Sequence, residues 1–426
     1  MPYRYAKSRR DGSQADVSRY GAFRALSPFA LYPGRIPIPG KLSYVERSYW
    51  EAGDDLDDWA ADSVEGVWQG LKCLAQSFQA LLTLEQATGA QWKALSEARE
   101  SAGQVCRLIE QAAADPVKHF SSDGSLVVFG SLARGEWTVG SDVDWALLID
   151  GLAVPEHYEC SLQIERELGE LTFQGQPLIP PGSTGTFGQL VFSHDLVHAL
   201  GGEPDTNVNT TRRLLLLLES TAIGDASAHS RTIRSVLRRY LLDDVRTKPE
   251  EGSRVPRFLV NDIVRFWRTM CVDFGAKHWQ QSGKKWGIRN IKLRMSRKLL
   301  FVSGLLMALG CDNVRSKDAQ TEDEVLGRLI HSAGLPPLEV LASELALWDL
   351  SHQASEIVSV YDEFLLGMND PARRTALNDV KPQDAAHHKV FLEFREISQR
   401  FQALLTDVFF GSGTRLSELV REYGVF

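Results

Sequence analysis

Asp142 and Asp144, two aspartates separated by one residue, are the side chains of this sequence best suited to chemistry. They begin an apolar stretch over residues 142–149 that is typical of a β-strand, so both carboxylates project from the same face. Neighbouring carboxylates repel each other unless a cation lies between them, and hard oxygen ligands suit Mg²⁺. The spacing therefore predicts a divalent-metal site.

A glycine–serine turn precedes this pair. Residues 126–129 are apolar and rich in valine and end at Gly130, which predicts a buried strand followed by a turn. Backbone at Gly130 and Ser131 can approach a ligand closely, and a helix beginning just after them would point free N–H groups at an anion such as phosphate. The alternative is a plain turn and a strand with two solvent-facing aspartates. Because Ser141 precedes the aspartates and apolar residues surround them, the combined pattern favours the functional interpretation.

A third acidic residue, Asp195, lies in another apolar stretch. Residues 188–198 predict a strand, and a carboxylate buried in such a strand is costly without a cation or a hydrogen-bond partner. The alternative is that Asp195 merely closes the strand and caps a loop. His194 and His198 flank it, but no further His or Cys lies nearby, so a structural or substrate-contacting role is favoured over metal binding.

The densest basic segment of the chain covers residues 283–298. If it is helical, Lys285, Arg289 and Lys292 share one face. A run of charges usually marks a solvated face. Here the glycines at 283 and 287 enclose Trp286 and favour a segment held in place, with phosphate binding as its predicted role.

Length and composition limit the number of domains, the kinds of partner and the cellular compartment. The 426 residues predict two or three domains, and the net charge of −8 argues against a broad nucleic-acid surface while leaving local basic patches open. Five scattered cysteines without metal-site or redox spacing indicate free buried thiols in a reducing compartment. No apolar run reaches the roughly 20 residues of a membrane span, and no signal peptide is visible. These features predict a cytoplasmic protein that does not enter a membrane.

The elements around these residues predict an α+β protein. A small mixed-sheet domain is expected over residues 117–207, with a helix over 156–169 and the chemistry-bearing strands around it. An irregular arm and helices over 1–116 precede it, and a larger region over 208–426 is predicted to be helical throughout. Residues 63–72 have a motif-like composition to which we attach no chemistry.

The stretches 130–136 (GSLARGE) and 141–144 (SDVD) together resemble the signature of the DNA polymerase β-like nucleotidyltransferase superfamily. Within it, the chain is most similar to the PII uridylyltransferase and glutamine synthetase adenylyltransferase branch, with further matches at 194–201, 217–225 and 287–291. The resemblance covers about residues 120–305. The sequence departs from that branch at four positions, and we transfer no role in nitrogen regulation. The departures are Val197, His198, Thr221 and Asn290.

This resemblance implies transfer of a nucleoside monophosphate from a nucleoside triphosphate such as ATP to an acceptor hydroxyl, with release of pyrophosphate. It implies two Mg²⁺ ions, or Mn²⁺, held by Asp142, Asp144 and Asp195, the last also helping to deprotonate the acceptor. The residues expected to bind the nucleotide are Gly130, Ser131, Arg134, Lys285 and Arg289.

The acceptor is expected to be a protein or a small molecule, with RNA left open. Two alternatives remain beside this expectation. One is synthesis of a signalling nucleotide, or RNA modification of a toxin or defence type, by the same chemistry. The other is a catalytically silent module that binds nucleotide and acts through interaction.

Overall fold

The computed structural model describes residues 79–118, 123–138, 140–182, 186–245, 255–280, 283–313, 321–411 and 413–424. All of them belong to one compact unit, residues 61–426. The expected N-terminal arm, the motif-like residues 63–72 and the rest of the chain before residue 79 lie outside the described residues.

Six strands occur in the described part of the chain. They are β1 (Gly124–Phe129), β2 (Trp145–Ile149), β3 (Thr172–Phe173), β4 (Gln176–Pro177), β5 (Gln189–Phe192) and β6 (Ser220–Ile223). Four of them form a mixed sheet in the order β5-β2-β1-β6, while β3 and β4 form a separate hairpin. Strand β1 is antiparallel to both neighbours, and β2 is parallel to β5. The predicted α+β class is confirmed.

Helices make up most of the remaining described chain. Before and within the sheet region they are α1 (Gln79–Thr88), α2 (Lys93–Lys118), α3 (Gly130–Ala133), α4 (Pro155–Glu170), α5 (Ser193–Val197) and α6 (Asn207–Leu218). After the sheet they are α7 (Ser227–Val245), α8 (Arg257–Gln280), α9 (Trp286–Arg294), α10 (Ser296–Leu309), α11 (Thr321–Ala333), α12 (Pro337–Leu347), α13 (Ser351–Met368), α14 (Pro371–Asp379), α15 (Lys389–Phe410) and α16 (Arg415–Tyr423).

The alternation of side chains along β1 divides the apolar interior into two parts. Leu126 and Val128 face α2 and α4, where they join a small core with Ile109 and Ile164. Val127 and Phe129, two residues apart, face the other way and join a much larger core built by the C-terminal helices. All six residues of β1 are buried, so the strand is fixed on both faces and the turn that follows it has a rigid base.

Two sequence-based expectations about this region are wrong. The stretch 188–198 is a strand only to Phe192, and residues 193–197 form the short helix α5. The region after residue 208 is not helical throughout, because β6 returns to the sheet and pairs with β1. Since β6 follows five consecutive leucines in α6, helical periodicity hides where that helix ends.

Candidate functional site

A cleft of about 440 Å³ opens where β1 ends and β2 begins. Because these strands are antiparallel, the carboxyl end of β1 and the amino end of β2 lie at the same edge of the sheet. Helices α6 and α8 border one side of the cleft, and α9, α10, α13 and α14 border the others. Its size falls in the range of about 300–1,000 Å³ that is usual for pockets that bind small ligands.

Gly130 begins the turn at the floor of the cleft. Its φ of +67° lies in the left-handed region, and a Cβ atom there would lie 2.8 Å from Oδ2 of Asp144. Only glycine satisfies both conditions. The Phe129 amide donates to the Asp144 carbonyl at 2.8 Å, which locks the turn against the second aspartate. The predicted proximity of the Gly-Ser turn and the Asp-x-Asp pair is therefore present in the fold.

The segment that carries the two aspartates is fixed by backbone bonds. Val143 points into the small core, and its amide donates to the carbonyl of Ile179 at 2.9 Å. Asp142 forms an isolated bridge with the same residue. With Val143 buried between them, Asp142 and Asp144 both project into the cleft, as the period-two alternation predicts.

Arg134 anchors a buried ion-pair network beside the turn. Its guanidinium donates to Glu136 Oε2 at 2.8 Å and forms a second, shorter ion pair with Glu219. Tyr361 of α13 donates its hydroxyl to the same Glu136 oxygen at 2.9 Å. Burial alone would lower the pKa of Arg134, but the two carboxylates outweigh it and raise that pKa above its ordinary value. Arg134 is therefore held as a fixed cation at the rim of the cleft.

Three further cations face the aspartates from the helical side. Lys292 lies on α9, Arg297 on α10 and Arg374 on α14, and all three line the cleft. Arg374 reaches across to the loop before Asp142, where it donates to Thr138 Oγ1 at 3.1 Å and to the carbonyl of Gly140. These cations lie where they can meet negative charge on a ligand.

The pKa shifts of Asp144 and Lys292 indicate that both groups of charges are incompletely balanced. Burial, together with the carboxylates of Asp142 and Glu219, raises the pKa of Asp144 to about 7. Burial lowers the pKa of Lys292 to about 8, with Asp142 opposing this shift and Arg374 and other cations adding to it. An added cation near the aspartates would stabilise their charged form, and an added anion near Lys292 would stabilise the charged lysine.

The structure brings together five of the eight predicted site residues. The residues that line the cleft are Gly130, Ser131, Arg134, Asp142 and Asp144. Asp195, Lys285 and Arg289 do not line it. Asp195 lies on α5 with its side chain exposed, so the expectation of a carboxylate buried in a strand is wrong. Its charge acts on nearby Arg212 rather than on the aspartate pair.

Lys285 and Arg289 lie at the start of α9, one to two turns before Lys292. Lys285 is exposed at the residue that precedes the helix, with a φ of 56°. Arg289 turns back and donates to the carbonyl oxygens of Lys284 and Lys285. The predicted basic helix is present, but its later residue Lys292 is the one that enters the cleft.

Sequence reasoning missed Glu219 and the cations Arg297 and Arg374 as site residues. Glu219 stands immediately before β6, and Phe129 pairs with Ser220, so the strand register places Glu219 beside the Gly-Ser turn. The signal that could have revealed it was a short alternating stretch after α6. Arg374 had no local signal, because α14 reaches the cleft only through tertiary packing.

Asp142 and Asp144 supply carboxylate ligands that suit a divalent metal ion, but the described residues provide no larger set of ligands. Asp142 and Asp144 are oxygen donors on one face, with a carboxylate whose pKa is raised by uncompensated neighbours, which is the environment a hard cation favours. Within the described residues, no group of three or more His, Cys, Asp or Glu side chains is arranged to hold a metal ion. A metal here would thus take two protein carboxylates and complete its coordination with ligand oxygens and water.

Comparison with known families agrees with the geometry. A family model described as "Nucleotidyltransferase domain" matches residues 110–172, which include the Gly-Ser turn and both aspartates. This match supports the polymerase β-like superfamily for that region and a transferase that acts on a nucleoside triphosphate. No curated protein matches the chain. In the described part of the chain, no helix combines the length and the apolarity needed to cross a membrane.

Proposed function

We propose that the chain is a metal-dependent nucleotidyltransferase that transfers a nucleoside monophosphate to an acceptor hydroxyl and releases pyrophosphate. The observation that carries this proposal is the division of charge across the cleft. Carboxylates gather at the sheet edge beside a Gly-Ser turn, and Lys292, Arg297 and Arg374 face them from the helices. A metal–triphosphate complex is complementary to both sides, since it presents a cation and several anionic oxygens together.

Asp142 and Asp144 are the residues that would hold Mg²⁺ or Mn²⁺. When bound, such an ion neutralises charge on the triphosphate and stabilises the in-line displacement at phosphorus. The protein's part is to fix the two carboxylates on one face, which the bond from Val143 to Ile179 does. This proposal does not use Asp195, whose side chain is exposed on α5 and does not line the cleft.

The remaining cleft residues bind and orient the triphosphate. Gly130 and Ser131 leave room for phosphate oxygens close to the backbone, because neither presents a bulky side chain at the turn. Lys292, Arg297 and Arg374 neutralise the phosphates from the opposite wall. Charge-assisted hydrogen bonds of this type are stronger in a cleft shielded from water than on an open surface.

A catalytically silent module is the competing function. It would bind nucleotide without using the two aspartates. The close approach of Asp144 to the turn at Gly130 would then be left without a function. The resemblance to the PII uridylyltransferase branch supports transfer rather than silence, although Val197 and His198 depart from that branch at the acceptor side.

The test is to incubate the purified protein with each of the four α-labelled ribonucleoside triphosphates, Mg²⁺ and a fractionated cell extract. We expect label to move into one acceptor class, with release of pyrophosphate that chelation by EDTA prevents. The Asp144→Asn protein is the control and should transfer no label. Equal label transfer by the wild-type protein and this variant would overturn the proposal.

A further inference from the structure

The chain carries one strongly basic stretch next to the mouth of the cleft. From residue 268 to residue 298 it contains nine lysines and arginines but a single acidic residue, Asp273, although the whole chain has a net charge of −8. The stretch covers the second half of α8, all of α9 and the start of α10. Charge is therefore concentrated in one place rather than spread over the surface.

Three of these cations line the cleft, and the others lie beyond it on the same three helices and the turn between α8 and α9. Lys277 lines the cleft on α8, and Lys292 and Arg297 line it on α9 and α10. Outside the cleft, the Gly283 amide donates to the His278 carbonyl at 3.0 Å, so the turn with Lys284 and Lys285 folds against the end of α8. We define the basic surface as the turn residues Lys284 and Lys285 and the following Arg289, together with Trp279.

Most of the charge on this surface has no opposite partner in the described structure. Lys284, Lys285 and Arg289 form no ion pair with a carboxylate of the described residues, whereas Lys277 of the cleft wall pairs with Asp273 at 2.8 Å. Burial and the repulsion of Arg297 lower the pKa of Arg289. Like charges held together in this way favour a polyanion that spans several of them.

An exposed aromatic ring lies at the end of α8, against which the turn with Lys284 and Lys285 folds. Trp279, at the end of α8, leaves 82% of its surface exposed, and its neighbour His278 meets it edge to face with ring centroids 5.5 Å apart. A large ring exposed to this degree contributes little to the core. Among lysines, it offers a platform on which a base can stack, which is the usual combination for single-stranded nucleic acid.

We propose that the acceptor of the transfer reaction is a single-stranded RNA, gripped by the basic surface so that its terminal hydroxyl enters the cleft. This inference rests on the proposed function. The terminal hydroxyl oxygen forms a bond to the α-phosphorus, the bond between that phosphorus and the α–β bridging oxygen breaks, and pyrophosphate leaves with the electron pair. The hydroxyl proton passes to water in the open cleft. The product is an RNA one nucleotide longer.

The first measurement is binding of a fluorescently labelled 20-nucleotide single-stranded RNA, without nucleoside triphosphate, as a function of salt. We expect Lys284→Glu/Lys285→Glu to weaken binding about tenfold or more and to flatten the slope of log K against log salt by roughly 1.4, since each lost phosphate contact contributes about 0.7. The matched control is Lys93→Glu/Arg107→Glu, which makes the same charge change at two exposed positions of α2. This control should bind RNA much as the wild type does.

Trp279→Ala separates stacking from charge. We expect about tenfold weaker RNA binding with an unchanged salt slope, because the ring contributes no counterion release. Leu152→Ala is its control, since Leu152 is 86% exposed and lies between β2 and α4. Unchanged thermal unfolding of all four variants excludes a folding defect.

Two outcomes overturn the inference. One is RNA binding by Lys284→Glu/Lys285→Glu that equals wild-type binding; the other is label transfer from nucleoside triphosphate to protein or small-molecule fractions but not to RNA. In the second case the proposed nucleotidyl transfer stands and only the acceptor is wrong. RNA binding without transfer to any acceptor would count against the proposed function while leaving the binding surface supported.

Discussion

The two walls of the cleft differ in whether their charged side chains form ion pairs within the protein. On the sheet side, Arg134 lies between Glu136 and Glu219 and is satisfied within the protein. On the helical side, Lys292 and Arg297 form no ion pair with a carboxylate of the described residues, although Asp142 acts on Lys292 through the cleft. The Arg134 network of the sheet side is completed by folding, whereas the aspartate pair and the cations of the helical side are completed by a ligand. Substitutions on the two sides should consequently show different defects.

The largest effect on transfer is expected at Asp142 and Asp144, the carboxylates of the sheet side whose charges are incompletely balanced within the protein. Asp142→Asn or Asp144→Asn removes charge but not packing volume, so the fold should persist while transfer falls by about 10³-fold or more, equivalent to several kcal/mol. Single-turnover transfer of labelled nucleotide measures the loss, and circular dichroism checks the fold.

Asp195→Asn is the matched control for these variants, because it makes the same change on the exposed helix α5. We expect near wild-type transfer from it. A loss of transfer as large as that of Asp144→Asn would show that Asp195 belongs to the site. The assignment made from the geometry would then be wrong.

The second prediction tests whether the Arg134 network is structural. Arg134→Met leaves Glu136 and Glu219 buried without their cation, and removal of one partner from a buried ion pair costs about 3–5 kcal/mol of unfolding free energy. Chemical denaturation measures this directly. A loss below about 1 kcal/mol, the value usual for an exposed pair, would show that the network is not held as described.

The third prediction concerns the helical side, where binding rather than stability should change. Lys292→Met is expected to weaken nucleoside triphosphate binding by about 1.5–3 kcal/mol, the range for a charged hydrogen bond. The unfolding free energy should not fall, because the cost of burying the Lys292 charge disappears with that charge. Calorimetry and thermal unfolding on the same sample provide both values.

Lys285→Met serves as the control for Lys292→Met. The two lysines lie on the same basic helix segment, but Lys285 is exposed and outside the cleft. If both variants lost nucleotide affinity equally, the distinction between the cleft wall and the outer basic surface would fail.

Local pattern was enough to predict the centre of the site. The Gly130–Ser131 turn and the Asp142–Asp144 pair depend on strand alternation and on a backbone that only glycine allows, and both are properties of short sequence windows. The helix predicted over 156–169 is present as α4 for the same reason.

The residues that sequence reasoning misplaced depend on long-range packing. Glu219 reaches the site because β6 pairs with β1 about 90 residues earlier in the chain, and Arg374 reaches it across 236 residues to Thr138. Asp195 was misassigned because its apolar neighbours suit a short amphipathic helix as well as a strand. A buried strand and the start of such a helix cannot be distinguished by periodicity over so few residues.

The smallest predicted effect concerns a buried group at this sheet that carries no charge. His229 on α7 is 8% exposed, its Nε2 lies 2.7 Å from the Ser220 hydroxyl, and its amide donates to Ser125 at 3.2 Å. Burial lowers its pKa to about 4. Between the ordinary value of 6.5 and 4, the unfolded chain binds this proton and the folded chain does not. Stability contributed by His229 is thus present above pH 6.5 and is lost as the pH falls.

We expect His229 to make the unfolding free energy about 1 kcal/mol lower at pH 5.5 than at pH 7. Urea denaturation at a series of pH values measures the slope, and His229→Gln, which keeps a polar side chain at Ser220 but cannot titrate, should flatten it. Because both proteins share every other titrating group, the difference between their slopes isolates the histidine. Identical slopes would mean that His229 takes up its proton as readily in the folded protein as in the unfolded chain, and the lowered pKa would then be wrong.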